Sequence, residues 1–359
     1  MRRFILIAAL LIVGALAALG WFRRDDIALS LLRRTADANI ARNELTALPD
    51  GLHAAFCGTG SPMPDRQRAG PCLAVVAGQR LFVFDAGGGA SETLTQMGLP
   101  PGAIERVFLT HFHSDHIDDL GALALQRWAG GGATTPMTVA GPPGVERVVA
   151  GFNEAYAIDA TYRVGHHGAD IVAPSGAGLI AAPFAFAEGT DRIVVLDDGG
   201  VTITAFVVDH GPVKPAVGYR IDYRGRSVVV SGDTVPTPSL DREAKGADLL
   251  VMEALSVRLV SELEAAAARA GRAKVAQIME DIQNYHTTPA DAAEIAQRAG
   301  AKALALTHVV PPLPSPVFDG LFLGDAKTKF AGPLWVMRDG DLVSLPAGGG
   351  MEKKRLLRR

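Results

Sequence analysis

Four side chains that bind metals through nitrogen or oxygen fall within six residues, in the run Thr110-His111-Phe112-His113-Ser114-Asp115-His116. Imidazole and carboxylate are borderline and hard donors that suit zinc, and no thiolate competes with them in this cluster. The run follows the apolar segment 107–109 and precedes a helical pattern starting at Leu120. A strand-to-helix loop there can turn several of these side chains toward one point, which a merely solvated loop has no need to do. One cluster cannot complete two metal sites, so further ligands are expected at later strand ends. Three residues answer that expectation: His210 closes the apolar run 204–208, Asp233 follows Val228-Val229-Val230, and His308 follows the run 303–306. Taken singly, each reads as readily as a structural histidine or a turn aspartate; their shared placement singles them out.

Such positions need a frame. From Leu52 onward, short β-type runs at 53–56, 73–76, 81–84 and 106–109 are separated by glycine-rich turns. Helical patterns follow at 90–97 and 120–128, with a strand expected at 137–140. A second β-rich block takes in 192–195, 201–208, 217–223 and 227–230; helices then dominate 255–297, and 303–306 reads as another strand. Two successive blocks of this kind predict an α/β (α+β) fold of two packed sheets with helices outside. Residues 160–183, rich in glycine, alanine and proline, read as an irregular excursion of the sort that forms lids or binding loops, with His166 and His167 inside it. His53, at a strand start, reads as structural.

Composition narrows the function. The 359 residues are 48% hydrophobic and 20% charged, enough for a substantial core. Lys plus Arg (35) nearly balances Asp plus Glu (38), a net charge of -3, so no global field draws in polyanions. Residues 4–22 are uncharged and apolar, between Arg2-Arg3 and Arg23-Arg24. At about 1.5 Å per residue they reach roughly 29 Å, close to a bilayer core. They read as a signal anchor or as a cleaved signal peptide; both send the rest of the chain to the periplasmic or extracytoplasmic side. The only cysteines, Cys57 and Cys72, flank a turn-rich segment between neighbouring strands, where a bridge or two buried thiols are equally open.

With these residues in view, the chain resembles the metallo-β-lactamase superfamily, and within it the ribonuclease Z and arylsulfatase-like branch. The resemblance rests on Phe56-Cys57-Gly58-Thr59-Gly60, Phe84-Asp85-Ala86-Gly87, the histidine cluster, and His210 with Gly218-Tyr219-Arg220-Ile221. It continues through Ser231-Gly232-Asp233-Thr234, Glu253-Ala254, His286-Thr287-Thr288 and Leu306-Thr307-His308, covering residues 52–310. It implies a four-layer αββα sandwich, placed at 51–345; the residues themselves put a signal anchor or signal peptide at 1–26, a membrane-proximal stem at 27–50 and a basic disordered tail at 346–359. It also implies two Zn²⁺, with Mn²⁺ or Fe²⁺ as alternatives. His111, His113 and His210 would hold one ion, Asp115, His116 and His308 the other, and Asp233 would bridge them. A water between the ions would be the nucleophile, oriented by Asp115. The family pattern assigns the leaving-group proton to His286, supported by Glu253, and makes Asp85 a hydrogen-bonding support of the histidine loop.

Two departures from the branch bear on substrate. Many of its members insert a long transfer-RNA-gripping arm between the Gly-Tyr-Arg-Ile and Ser-Gly-Asp-Thr strands, whereas here only residues 222–230 intervene. Met252 replaces the histidine that commonly precedes Glu253-Ala254. The expected function is therefore hydrolysis of a small or exposed ester, phosphodiester first and aryl sulfate second. Transfer-RNA 3′ processing and a catalytically inactive membrane-tethered binding protein are the alternatives. A di-iron redox role is disfavoured, because His113 stands where such proteins usually carry glutamate. The expected partners are that substrate and the membrane, with a homodimer left open and nucleic acid disfavoured.

Overall fold

The computed structural model describes residues 4–7, 10, 14 and 20–357. It falls into two compact units, Met1–Asn43 and Glu44–Arg359. In the first, a helix spans Arg24–Ile40 and buries no residue. Among the described residues no helix is long and apolar enough to cross a membrane. Much of the expected anchor or signal segment at 4–22 lies outside the described residues, so that reading gains no support here.

The strands of the second unit are β1 (Gly51–Gly58), β2 (Cys72–Ala77), β3 (Arg80–Phe84), β4 (Ile104–Phe108), β5 (Met137–Gly141), β6 (Leu179–Pro183), β7 (Arg192–Asp198), β8 (Val201–His210), β9 (Val213–Tyr223), β10 (Arg226–Val230), β11 (Leu249–Leu255), β12 (Leu304–Val310), β13 (Leu334–Val336), β14 (Asp341–Pro346) and β15 (Glu352–Arg355). They form an eight-stranded sheet, β15-β14-β1-β2-β3-β4-β5-β6, and a seven-stranded sheet, β13-β12-β11-β10-β9-β8-β7.

Alternation along the strands builds the layers, because successive side chains point to opposite faces. Leu52, Ala54 and Phe56 of β1, with Phe82, Phe84 and Phe108, pack against Ile203, Ala205, Tyr219, Ile221 and Val251 of the other sheet. On the outer face of the first sheet, Ala55, Val83 and Val107 meet Leu94, Met97, Leu120 and Leu123 from helices. On the outer face of the second, Phe206, Val229, Leu250 and Met252 meet Leu240, Ala292 and Ile295. The expected sandwich of two sheets with helices outside is therefore present. Met252 fills this outer core rather than the site that Glu253 faces. Cys57 and Cys72 are joined in a disulfide, Cα–Cα 5.0 Å, across β1 and β2. His53 is structural as expected, its ring nitrogens 2.9 Å from Ser344 Oγ and 2.8 Å from the Pro49 carbonyl.

Three expectations need correction. The stem at 27–50 is not uniform: Leu45 and Leu48 are buried in the helix-covered core, because the short helix Glu44–Ala47 docks on the sheet. The tail beyond 346 is not disordered up to the last described residues. Glu352–Arg355 pairs antiparallel with β14, where Lys353 and Arg355 both meet Asp341, and Leu356 is buried. The excursion at 160–183 is also ordered: its first part is the end of the helix Val145–His167 and its last part is β6. His166 and His167 lie exposed at that helix end, not in a pocket.

Candidate metal centre

The first sheet ends β4 at Phe108, and the chain then crosses the edge between the sheets. His111 and His113 lie on this crossing loop, and Asp115 and His116 in the short helix Ser114–Ile117. Asp85, just past β3, organises the loop. It accepts from the Thr110 N–H (2.8 Å), the Thr110 hydroxyl (2.8 Å) and His116 Nδ1–H (2.8 Å). Its φ of 58° places it in the left-handed region, a strained conformation for a non-glycine residue that its three hydrogen bonds help to hold. Thr110 Oγ1 in turn accepts from His111 Nδ1–H at 3.0 Å, which leaves His111 Nε2 as a free lone pair.

The second sheet supplies the rest. His210 ends β8 with its Nδ1–H on the Tyr285 carbonyl at 3.0 Å. Asp233 follows β10 after Gly232, at whose φ of 62° a Cβ would come within 2.7 Å of the Val217 carbonyl. His308 sits inside β12, where the pairing with β11 shifts register between Glu253 and Ala254. It is the extra residue of that bulge, with φ 45°, and the bulge re-aims its ring toward the site.

These residues converge. The ligand atoms of His111, His113, His210 and Asp233 lie within 4.8 Å of one another, as do those of Asp115, His116 and His308. Asp233 joins the two groups: its Oδ2 is 3.4 Å from His116 Nε2, 3.2 Å from His308 Nε2 and 3.9 Å from His210 Nε2. Asp115 Oδ2 is 3.6 Å from His116 Nε2 and 3.4 Å from His308 Nε2. His286 and Glu253 stand beside them, His286 Nδ1–H donating to Glu253 Oε1 at 3.1 Å. Glu253 Oε1 also accepts from the N–H groups of Thr234 and Thr287, so the pair is fixed to two loops at once.

The donor set fits divalent cations. His111 Nε2 and His113 Nδ1 are 2.9 Å apart, with His210 Nε2 at 3.3 Å from His113 Nδ1. Protons on all three nitrogens would clash, whereas a cation among them satisfies all three lone pairs. Asp115 Oδ2, His116 Nε2 and His308 Nε2 are buried without any hydrogen-bond partner, a costly state unless a cation takes them up. Burial, with the charge of His116 nearby, holds His111 well below the usual histidine pKa, and burial lowers His113 and His210. Against the effect of burial, His308 and His116 hold the Asp233 carboxyl well below its usual range, and His308 lowers Asp115. Neutral imidazoles and ionised carboxylates are the protonation states that metals bind. His116 differs: burial opposes its charge, but Asp233 and Asp85 raise it well above the ordinary value, so metal binding must displace its proton.

Some of the supporting groups carry no signature in the sequence. The Tyr285 acceptor is a backbone carbonyl, which any residue offers. Thr110 could have been singled out only by its place directly before His111.

A model of the β-lactamase superfamily domain matches residues 80–309. A ribonuclease Z of Mycobacterium bovis is 37% identical over 290 residues, covering 80% of this chain and 96% of that protein. Among solved structures, the metallo-β-lactamase fold protein YhfI from Bacillus subtilis superposes with a TM-score of 0.58 at 21% identity, covering 82% of this chain and 99% of that one. The short form of human tRNase Z superposes at 0.56 with 22% identity, covering 82% and 99%. In sequence, fold and the chemistry of its donor set, this chain belongs to the metallo-β-lactamase superfamily of hydrolases, with ribonuclease Z proteins among its relatives.

Proposed function

We propose that the protein is a metal-dependent phosphodiesterase of the ribonuclease Z type, cleaving an RNA phosphodiester. The observation that carries this is the convergence of seven ligand residues into two groups sharing Asp233, beside a histidine held by a carboxylate. The sequence alone put nucleic acid low among the substrates and a small ester first. The ribonuclease Z names of the sequence relatives support an RNA substrate over an aryl sulfate, and the proposal follows them.

His111, His113 and His210 with Asp233 would hold one divalent ion, and Asp115, His116 and His308 with Asp233 the other. Zinc is proposed, with manganese or iron as alternatives. Ions so held supply Lewis-acid charge and an activated water. The Asp115 carboxylate, kept ionised, offers an acceptor that orients the attacking water. His286, its Nδ1–H held by Glu253, offers the Nε2 proton to the departing oxygen as general acid. This donor favours a phosphodiester of RNA over an aryl sulfate. A ribose oxygen leaves as a strongly basic alkoxide and needs a proton, whereas a phenol, with a pKa of about 10, needs it far less.

A second reading, hydrolysis of a smaller phosphodiester, is favoured by the β9–β10 hairpin. Arg224 (φ 51°) and Gly225 (φ 73°) close it as a two-residue turn, which leaves no arm to grip a large RNA. The Cys57–Cys72 disulfide and the arginine-flanked apolar segment support an extracytoplasmic location, which we also propose.

The test is a substrate panel on the zinc-loaded full chain, with His111→Ala as control. Accurate cleavage of a precursor transfer RNA supports the first reading. Turnover confined to bis(p-nitrophenyl) phosphate moves the assignment to the second. Preference for p-nitrophenyl sulfate, or no turnover of any ester, overturns both.

A further inference from the structure

His111, His116 and His210 each point one ring nitrogen at the metal centre and donate the other: His111 to Thr110 Oγ1, His116 to Asp85, His210 to the Tyr285 carbonyl. Such partners fix tautomer and ring orientation in metal-binding histidines. His308 breaks the pattern. Its Nε2 faces Asp115 and Asp233, yet its Nδ1, in a side chain 3% exposed, has no partner.

A second orphan lies close by. Glu253, 2% exposed, places Oε1 on His286, Thr234 and Thr287 and leaves Oε2 without a partner. Glu253 and His308 line the same partly open pocket, with room of about 30 Å³ for water, together with Ser231, Asp233 and Thr307. A site needs roughly 10–15 Å³ and two or more polar partners before it can hold a water, and this one meets both conditions. Here the needs are complementary: an Nδ1–H that must donate and a carboxylate oxygen that must accept.

We infer that a water in this pocket joins the buried atoms His308 Nδ1 and Glu253 Oε2. Glu253 thereby serves two histidines. One oxygen holds His286, and the other, through the water, orients the ring of His308. Glu253 is a positioning residue for the metal centre as well as the partner of the proton donor. This rests on the metal-centre reading above, and the test separates the two.

The test compares zinc affinity, by competition with a chromophoric chelator, in His286→Ala and in His286→Ala combined with Glu253→Gln. Removing His286 in both takes away the other role of Glu253. Glutamine keeps one oxygen for the Thr234 and Thr287 N–H groups but turns a donor toward the pocket in place of Oε2. The double variant is expected to bind its weaker zinc about 10- to 100-fold less tightly, the usual cost of losing an outer partner. Cobalt-loaded protein should show a shifted visible absorption for that ion, with the thermal midpoint of the metal-free protein unchanged. A crystal structure of the zinc-loaded protein should show a water in hydrogen-bond contact with both atoms. Equal zinc affinity and equal cobalt spectra in the two variants overturn the link. Failure of His286→Ala itself to bind zinc overturns the metal-centre reading instead.

Discussion

Burial by itself would strip the proton from His286, and the Glu253 carboxylate 3.1 Å away more than reverses this, raising the pKa to about 9. The sign matters for both activity and stability. A proton donor is present below its pKa, so catalysis should fall as pH rises through that value. The folded pKa lies above the ordinary 6.5, so the stability this pair contributes is complete below about 6.5 and is lost as pH climbs through about 9. Bound cations repel the proton and move the loaded enzyme's basic limb to lower pH. A histidine titration by NMR of the metal-free protein should place His286 near 9, and Glu253→Gln should bring it down sharply. With the proton donor removed by His286→Ala, kcat on an RNA ester should drop by about 10²- to 10⁴-fold. The loss on bis(p-nitrophenyl) phosphate should be much smaller, because nitrophenolate leaves unaided. Equal losses on the two substrates would contradict a proton-donor role. The residues gathered at this site were legible in the sequence because each candidate ligand sits at or near the end of an apolar run. What orients them was less legible, since a backbone carbonyl such as that of Tyr285 leaves no mark on residue type.

Elements were read best where burial leaves a pattern. The runs behind β1 to β5 and β8 to β10 are apolar because both sheet faces are covered, and the helix Ala90–Met97 was found because one of its faces packs on Ala55 and Val83. The helix Val145–His167 escaped notice for the converse reason: it buries only Val145 and Val149 and so shows no apolar stripe. The strand β15 was missed because Glu352-Lys353-Lys354-Arg355 reads as solvated, although Asp341 on the neighbouring strand holds two of its cations. β11 lies between the strand read at 227–230 and the helical region read from 255 and was not singled out, because its continuous burial gives no alternation to mark it as a strand. How tightly these elements meet around the site can be tested at Gly87, between β3 and the helix Ala90–Met97. A Cβ there would stand 2.2 Å from the Asp115 carbonyl and 2.6 Å from Pro71 N, both backbone atoms that cannot step aside cheaply. Gly87→Ala should therefore push the Asp115-His116 turn off position, lowering stability by about 1–3 kcal/mol and weakening zinc binding. Gly88→Ala is the matched control, since its Cβ would meet nothing closer than Asp118 at 3.9 Å. Chemical denaturation and zinc titration of the two variants decide the matter; indistinguishable behaviour would mean the loop is more pliant than this packing implies.

For the molecule as a whole, the tension lies between the proposed ribonuclease-type activity and a chain with no surplus of positive charge. With 35 basic against 38 acidic residues and a two-residue β9–β10 turn, long-range attraction to an RNA body is weak. If RNA is nevertheless the substrate, the grip must be local: the two cations and a few side chains holding the phosphates next to the scissile bond. Counterion release turns this into a measurable slope. Each phosphate neutralised on a single strand contributes about -0.7 to the dependence of log affinity on log salt. An enzyme that touches only two or three phosphates should show a slope of about -1 to -2, measured as KM for a precursor transfer RNA between low and physiological salt. An enzyme gripping the RNA body over six or more phosphates would show about -4 or steeper. A steep slope would mean that basic surface is gathered along one path despite the balanced total, and the inference from the missing arm would fail. A shallow slope, with comparable kcat on a short 3′-terminal RNA fragment and on the full precursor, would mean that recognition ends within a few nucleotides of the metals. The same centre could then serve an RNA end or a small phosphodiester alike.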